Sequence, residues 1–301
     1  MEITQYTPVD RDDVAALCAR ALDLPEDAAE APALVARLDS APEARTWTRF
    51  AARLDGRVVG VVNGSISQRD ARIGHVDLLA VDPQARGRGL ARSLLDAAEK
   101  HLAGLGVTEI RLSGNPPCYV WPGVDVRYTP AVCLAEAAGY QRFDLAWNMS
   151  ADLTSVPSPE AGEARLAAAG IEVRRLAGDD LPAVRAWVRR TWNASWEWEV
   201  AESVGRSDAG CHVALRDGEP IGFAAWGANR PSLFGPMGTD PAAEGTGIGG
   251  VLLRRCLLDQ RAFGLGTAEI GWAGPIRFYS RSVGARVERV FLLFRKAVTQ
   301  P

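Results

Sequence analysis

Residues 81–94 read VDPQARGRGLARSL, and residues 239–252 read TDPAAEGTGIGGVL, the same pattern 158 positions further on (81 against 239). Each stretch joins a short apolar run to a run with helical spacing, so its glycines fall at a strand-to-helix turn. The first N–H groups of a helix have no partner within it, and the helix dipole adds positive potential there. Such a turn suits a pyrophosphate. Glycines at a tight turn also serve plain steric relief, so the context of the turn decides. A dinucleotide-binding βαβ unit opens with its GxGxxG, whereas Gly87 and Gly89 come after a helix and a hairpin, and no Walker lysine follows them.

A second match lies just beyond the first. Residues 104–110 read GLGVTEI and residues 264–270 read GLGTAEI. Two matches in the same order make the chain a repeat of two halves, residues 1–152 and 164–301. Between them lies a linker, 153–163, containing the Pro-, Ser- and Glu-rich SVPSPEAGE of 155–163. In the first half the patterning predicts a helix over 10–22, a hairpin over 49–67 turning at Asp55-Gly56, a strand over 73–81, a helix over 89–102 and a strand over 107–112. The second half repeats the plan: helix 181–192, hairpin 213–226 turning at Asp217-Gly218, strand 232–238, helix 247–263 and strand 267–272. The expected class is α/β, with a mixed sheet flanked by helices in each half.

The 301 residues fit two domains of ordinary size, and 47% hydrophobic with 24% charged residues is a globular composition. A net charge of -3 leaves no positive field to hold a polyanion, so nucleic acid is not an expected partner. The first residues have no apolar leader and no stretch is apolar enough to span a bilayer, which points to a cytoplasmic protein without a membrane partner. Five widely spaced cysteines and three histidines give neither a disulfide framework nor a metal site. The sequence carries no signal of oligomeric state.

The segment Arg86-Gly87-Arg88-Gly89-Leu90-Ala91 resembles the (Gln/Arg)-x-x-Gly-x-(Gly/Ala) loop of the GCN5-related N-acetyltransferases (GNAT). The resemblance extends over both halves. It implies two tandem domains, each with a sheet splayed between its fourth and fifth strands to admit acetyl-CoA as cosubstrate. It also implies that Val81 and the first loop, and Met237, Gly238, Thr239, Gly245, Thr246, Gly247, Ile248 and Gly249 in the second half, hold that molecule. Glu244 stands where the family has Arg or Gln, and a carboxylate there repels a pyrophosphate.

Acetyl transfer to an amine needs a deprotonated nucleophile, a polarised thioester carbonyl and an acid for the departing thiolate. The family's acid is a tyrosine on the helix after the fifth strand, shortly before a glycine. Tyr279, ahead of Gly284-Ala285, matches, whereas the first half offers Leu134 or Ala135. On this resemblance the second half is the expected catalytic one. Its base would be Glu269, although Glu109 occupies the same place in the first half, and its oxyanion would rest on main-chain N–H groups near Met237 and Gly238. Asp77, on the fourth strand of the first half, is the alternative base, and its counterpart is Gly235. No cysteine is placed with a histidine and an acid as a nucleophile would be.

For the acceptor, Trp196, Glu197 and Trp198 lie between the first helix and the hairpin of the second half, where the family walls its acceptor site; Trp226 and Trp272 are near the splayed strands. The loop 115–125, NPPCYVWPGVD, resembles one in tandem acetyltransferases acting on glucosamine and glucosaminides. What the resemblance implies is direct transfer to a primary amine of an amino sugar. Two alternatives stay open: a non-catalytic acyl-CoA-binding regulator, and a tandem acyltransferase for a mycothiol-precursor-like, polyamine or aminoglycoside amine.

Overall fold

The computed structural model describes residues 2–40 and 45–298; Met1 and 299–301, at the outer ends of the two halves, lie outside the described residues. The chain forms two compact units, Met1–Ala146 with Val290–Pro301, and Trp147–Arg289.

In unit 1, β1 (Glu2–Gln5), α1 (Arg11–Ala21), α2 (Pro25–Ala29) and α3 (Ala31–Asp39) precede β2 (Trp47–Leu54), β3 (Arg57–Ile66) and β4 (Ile73–Val81). Then follow α4 (Leu90–Gly104), β5 (Glu109–Leu112), β6 (Val124–Asp125), α5 (Thr129–Ala137) and the first part of β7 (Gln141–Asp152). Asp55 and Gly56 both adopt positive φ, the condition for a two-residue hairpin whose twist suits its strands, and Asp217 and Gly218 do the same in unit 2. Helix α4 buries Leu90, Leu94, Leu95, Ala98 and Leu102, one stripe at helical spacing, against the sheet. Strand order is β1-β2-β3-β4-β5, closed by the end of β13 (Arg286–Ala297), whose Phe294 pairs with Leu112.

Unit 2 contains α6 (Glu160–Ala168), β8 (Ile171–Arg175), α7 (Leu181–Thr191), α8 (Ala194–Glu202), β9 (Gly210–Arg216), β10 (Glu219–Trp226) and β11 (Leu233–Thr239). It continues through α9 (Ile248–Ala262), β12 (Thr267–Ile270) and α10 (Ile276–Val283). Its order is β8-β9-β10-β11-β12, closed by the end of β7, where Asp152 pairs with Thr267. Both sheets are mixed: β4 with β5 and β11 with β12 are parallel, the other neighbours antiparallel.

The units differ from the halves drawn on the sequence at their ends. Residues 147–152 belong with unit 2 and residues 290–301 with unit 1. A repeat reveals which segments match, but the partner that closes a sheet edge is non-local. The stretch read as a linker is packed: Leu153 is buried, α6 begins at Glu160, and a Cβ on Gly162 would press on Val251.

Candidate active site

Strands β4 and β5 are in parallel register from Ile73 with Glu109 to His75 with Arg111. Past those residues they part, and a cavity of about 540 Å³ opens along Val76–Val81, lined also by the glycine turn and by Tyr119, Trp121 and Tyr128. That volume is within the usual range for a small-molecule site, about 300–1,000 Å³.

The turn is built as a cradle. Asp82 caps it by accepting from the Gln84 N–H at 3.0 Å, and Gly87 and Gly89 take φ of 74° and 77°. The first helical bond of α4 is from Ser93 N to Gly89 O, so the amides ahead of it have no intrahelical carbonyl. A Cβ on either glycine would meet nothing within 4 Å. Arg86 turns inward: its Nε donates to the Val81 carbonyl at 3.1 Å, Nη2 to that of Ala21 at 2.7 Å, and Nη1 reaches Asp23. Its guanidinium thus locks the turn onto β4 and α1, leaving the anion to the backbone. Val81, Leu90 and Ala91 line the cavity with Gly87 and Gly89; Arg88 is exposed on the turn. These residues fit a pyrophosphate-bearing ligand such as acetyl-CoA.

Asp77 lies at a bulge. Strand β3 pairs Asn63 with Leu78 and Gly64 with Val76, skipping it. Its Oδ2 accepts from Ser65 Oγ at 2.7 Å. Burial pushes the carboxyl up to about 7, with Arg45, the Ser65 hydrogen bond and Arg49 pulling the other way. This is the range of a working general base. His75 is pushed down to about 4 by burial, against its hydrogen bond to the Ser113 carbonyl at 3.0 Å; a neutral ring donates that bond from Nδ1. Two of the aromatic lining residues are fixed by Asp27, fully buried on α2, which accepts from Trp121 Nε1 at 3.2 Å and the Tyr128 hydroxyl at 3.0 Å. Ser65 and Asp27 escaped the sequence reading. Their one signal is a polar residue at a position the patterning buries.

Unit 2 repeats the turn and fills the space around it. Asp240 caps it through the Ala242 N–H, Gly245 and Gly247 take φ of 78° and 91°, and Thr246 Oγ1 donates to the Ala243 carbonyl. Ile248 is buried beneath it. The Arg165 guanidinium, however, lies where a Cβ on Gly247 would go, and Phe278 and the Met237 methyl stand 3.4 Å from that of Gly249. On β11, next to Thr239, Gly238 is covered by the Trp192 ring. Gly235 and Pro236 occupy the bulge, where Pro236 has no N–H to offer.

Tyr279 is buried in the apolar core between Phe278 and Phe234, with ring centroids at 5.1 and 6.2 Å, and burial pushes its phenol up to about 12. Glu269 is held by Asn148, Arg230 and Arg289, both guanidiniums buried. Trp196 packs with Trp192 and Phe223, Glu197 pairs with Arg185 and Arg189, and Trp198 is half-buried on α8. Trp226 is a core side chain with its indole N–H 3.4 Å from Asp259, and Trp272 is 39% exposed, its backbone N–H donating to Asn148 Oδ1. Unit 2 therefore gathers the sequence-expected residues into ion pairs and aromatic packing, whereas unit 1 gathers its own around a cavity. Among the described residues no group of three His, Cys, Asp or Glu side chains is placed to hold a metal, and no helix is long and apolar enough to cross a membrane.

A sheet parted beside a glycine cradle, twice in one chain, defines a tandem acyl-CoA-type transferase fold. The acetyltransferase (GNAT) family model matches residues 15–118 and 172–285, well over half of the chain, and the chain belongs to that family. The chain thus shares the fold of a family whose donor is acetyl-CoA. It is 30% identical over 190 residues to a mycothiol acetyltransferase of Thermomonospora curvata; the match covers 58% of this chain and 57% of that relative, little more than half of its length. Among solved structures it is similar to a glucosamine N-acetyltransferase region of a fungal multi-domain β-N-acetylglucosaminidase (TM-score 0.75, 20% identity, 98% of this chain and 38% of that one). A tandem GNAT protein of the clavulanic acid biosynthesis pathway superposes at TM-score 0.72, with 20% identity and 98% of both chains covered. A GNAT protein of Sphaerobacter thermophilus gives 0.64, at 20% identity over 100% of this chain and 96% of that one. At such identities the structures establish the fold.

Proposed function

We propose that the chain acetylates a primary amine in unit 1, with Asp77 as the base, and that unit 2 serves as scaffold. The observation that carries this reading is the cavity joining the Gly87–Gly89 cradle to Asp77, set against counterpart positions taken by Phe278, Trp192 and Arg165. Acetyl-CoA supplies the acetyl group as a thioester. The amides of 87–91 hold its pyrophosphate, and Arg86 keeps them in place. Every second amide of β4 points away from β3, and where β5 has departed these N–H groups are available to a carbonyl oxygen. Asp77 takes the ammonium proton, directly or through a water, at a pH near its own midpoint.

An amino-sugar acceptor is supported by the aromatic side chains of Tyr119, Trp121 and Tyr128 lining the cavity, and by the names of the relatives above, a glucosamine N-acetyltransferase region and a mycothiol acetyltransferase. The test is thiol release from acetyl-CoA with a panel of glucosamine, glucosaminides, cysteine-bearing amino sugars, polyamines, aminoglycosides and peptides. Release with amino-sugar amines, retained in Tyr279→Phe and lost in Asp77→Asn, is the expected result. Loss in Tyr279→Phe with Asp77→Asn active would move the chemistry to unit 2. Binding of acetyl-CoA without release on any amine would make the chain a binding protein.

A further inference from the structure

Asp77 sits at the end of a buried chain of hydrogen bonds whose direction is fixed. Asn115 Nδ2 is 2.8 Å from Ser65 Oγ and 3.4 Å from the Ile66 carbonyl, which can only accept, so the amide nitrogen is the atom facing both. Ser65 Oγ therefore accepts a hydrogen bond from Asn115, and its one hydroxyl group donates to Asp77 Oδ2 at 2.7 Å. Oδ2 is committed as an acceptor. Oδ1 is shielded and has no hydrogen-bond partner among the described residues. Asn115 is held in reach by Arg45, buried, whose Nη2 and Nη1 donate to the carbonyls of Asn115 and Cys118, both at 2.7 Å. Ser65 is fully buried and Asn115 is 2% exposed, so water does not substitute for either link.

We propose that Ser65 and Asn115 are positioning residues for the base, fixing the Asp77 carboxylate in the cavity wall through the bond to Oδ2. The inference rests on Asp77 being the base. A hydrogen bond to the ionised form favours it, so the Ser65 link holds the carboxyl lower than burial alone would set it. The charged groups facing Asp77 are the guanidiniums of Arg45, ahead of β2, and Arg49, on β2, both acting in the same direction. His75, two residues earlier on β4, is engaged with Ser113.

The test is the pH profile of kcat/KM for the full chain with its best acceptor, beside melting curves and acetyl-CoA KM. Removing the hydroxyl in Ser65→Ala is expected to raise the midpoint of the acidic limb by about one pH unit and lower kcat/KM about fivefold at pH 7, with acetyl-CoA KM unchanged. Ser65→Thr, which keeps the hydroxyl, is expected to retain the wild-type midpoint. Asn115→Asp cannot donate to Ser65 and draws its hydroxyl away from Asp77, so it raises the midpoint too. This second variant decides the matter if Ser65→Ala does not fold. Turnover lost in Asp77→Asn but wild-type midpoints in Ser65→Ala and Asn115→Asp would overturn this inference alone. Turnover retained in Asp77→Asn would overturn the base assignment and the inference with it.

Discussion

The two glycine turns are near copies in backbone and opposites in surroundings. Gly87 and Gly89 match Gly245 and Gly247 in φ to within 15°, and both turns are capped by an aspartate at the same place. Around the first, a Cβ would project into open space. Around the second, Gly245 is equally open, but Arg165 stands at Gly247, Phe278 at Gly249 and, on the strand before the turn, Trp192 at Gly238. A cradle of backbone amides is therefore necessary for a donor site but does not make one; the side chains facing it decide whether a ligand has room. Tyr279 illustrates the point from the other side. On the helix before Gly284 it resembles the family's acid, one residue further from the glycine than usual, yet its ring is shared between Phe278 and Phe234.

The largest effect that would break this comparison is catalytic. Asp77→Asn keeps the acceptor for Ser65 and removes the base, so turnover should fall about 100- to 10,000-fold in thiol-release kinetics. A surviving rate would end the assignment. Next comes an exchange of fillings. Cys133 on α5 lines the unit 1 cavity, and Phe278 is its counterpart on α10. Placing that bulk in unit 1 as Cys133→Phe should raise acetyl-CoA KM by about tenfold or more, and an unchanged KM would mean that the donor lies elsewhere.

A smaller and graded effect follows from pH. The folded-state carboxyl of Asp77 is raised from 3.8 to about 7, so the folded chain binds this proton more tightly than the unfolded one. Its stabilising contribution is full below about 4 and is lost as pH rises to about 7. Wild type should accordingly lose melting temperature relative to Asp77→Asn across that window, and kcat/KM should rise over its upper end. Parallel melting curves for the two proteins from pH 4 to 8 would contradict the environment described for Asp77. The smallest effect belongs to Tyr279→Phe. Removing a hydroxyl that has no partner among the described residues should change stability by less than about 0.5 kcal/mol and turnover by less than about twofold. Chemical denaturation and steady-state rates check both.

Much of the architecture could be read locally. The strand expected over 73–81 is β4 to the residue, and both hairpins turn where Asp-Gly required them, because turn chemistry and periodicity are properties of neighbouring residues. The cradle was legible for the same reason. The environment of Asp77 was not: Ser65 and Asn115 lie 12 and 38 positions away in sequence (77 less 65; 115 less 77), and only the pairing of β3 with β4 and the Arg45 clamp bring them together. Nor was the filling of unit 2. Phe278 and Trp192 are apolar residues at positions where pocket walls and pocket plugs have the same composition, and rotamers choose between them. The closing strands of the two sheets were hidden as well, since an edge partner is selected in three dimensions.

The claim that unit 1 alone holds the donor is tested most directly by calorimetric titration of acetyl-CoA into the wild-type chain and into Gly89→Val and Gly247→Val. Both substitutions impose similar strain at a positive φ, so each controls for the other. The expected result is one equivalent bound per chain, abolished in Gly89→Val and preserved in Gly247→Val. Two equivalents in the wild type, or binding lost in Gly247→Val and kept in Gly89→Val, would contradict it.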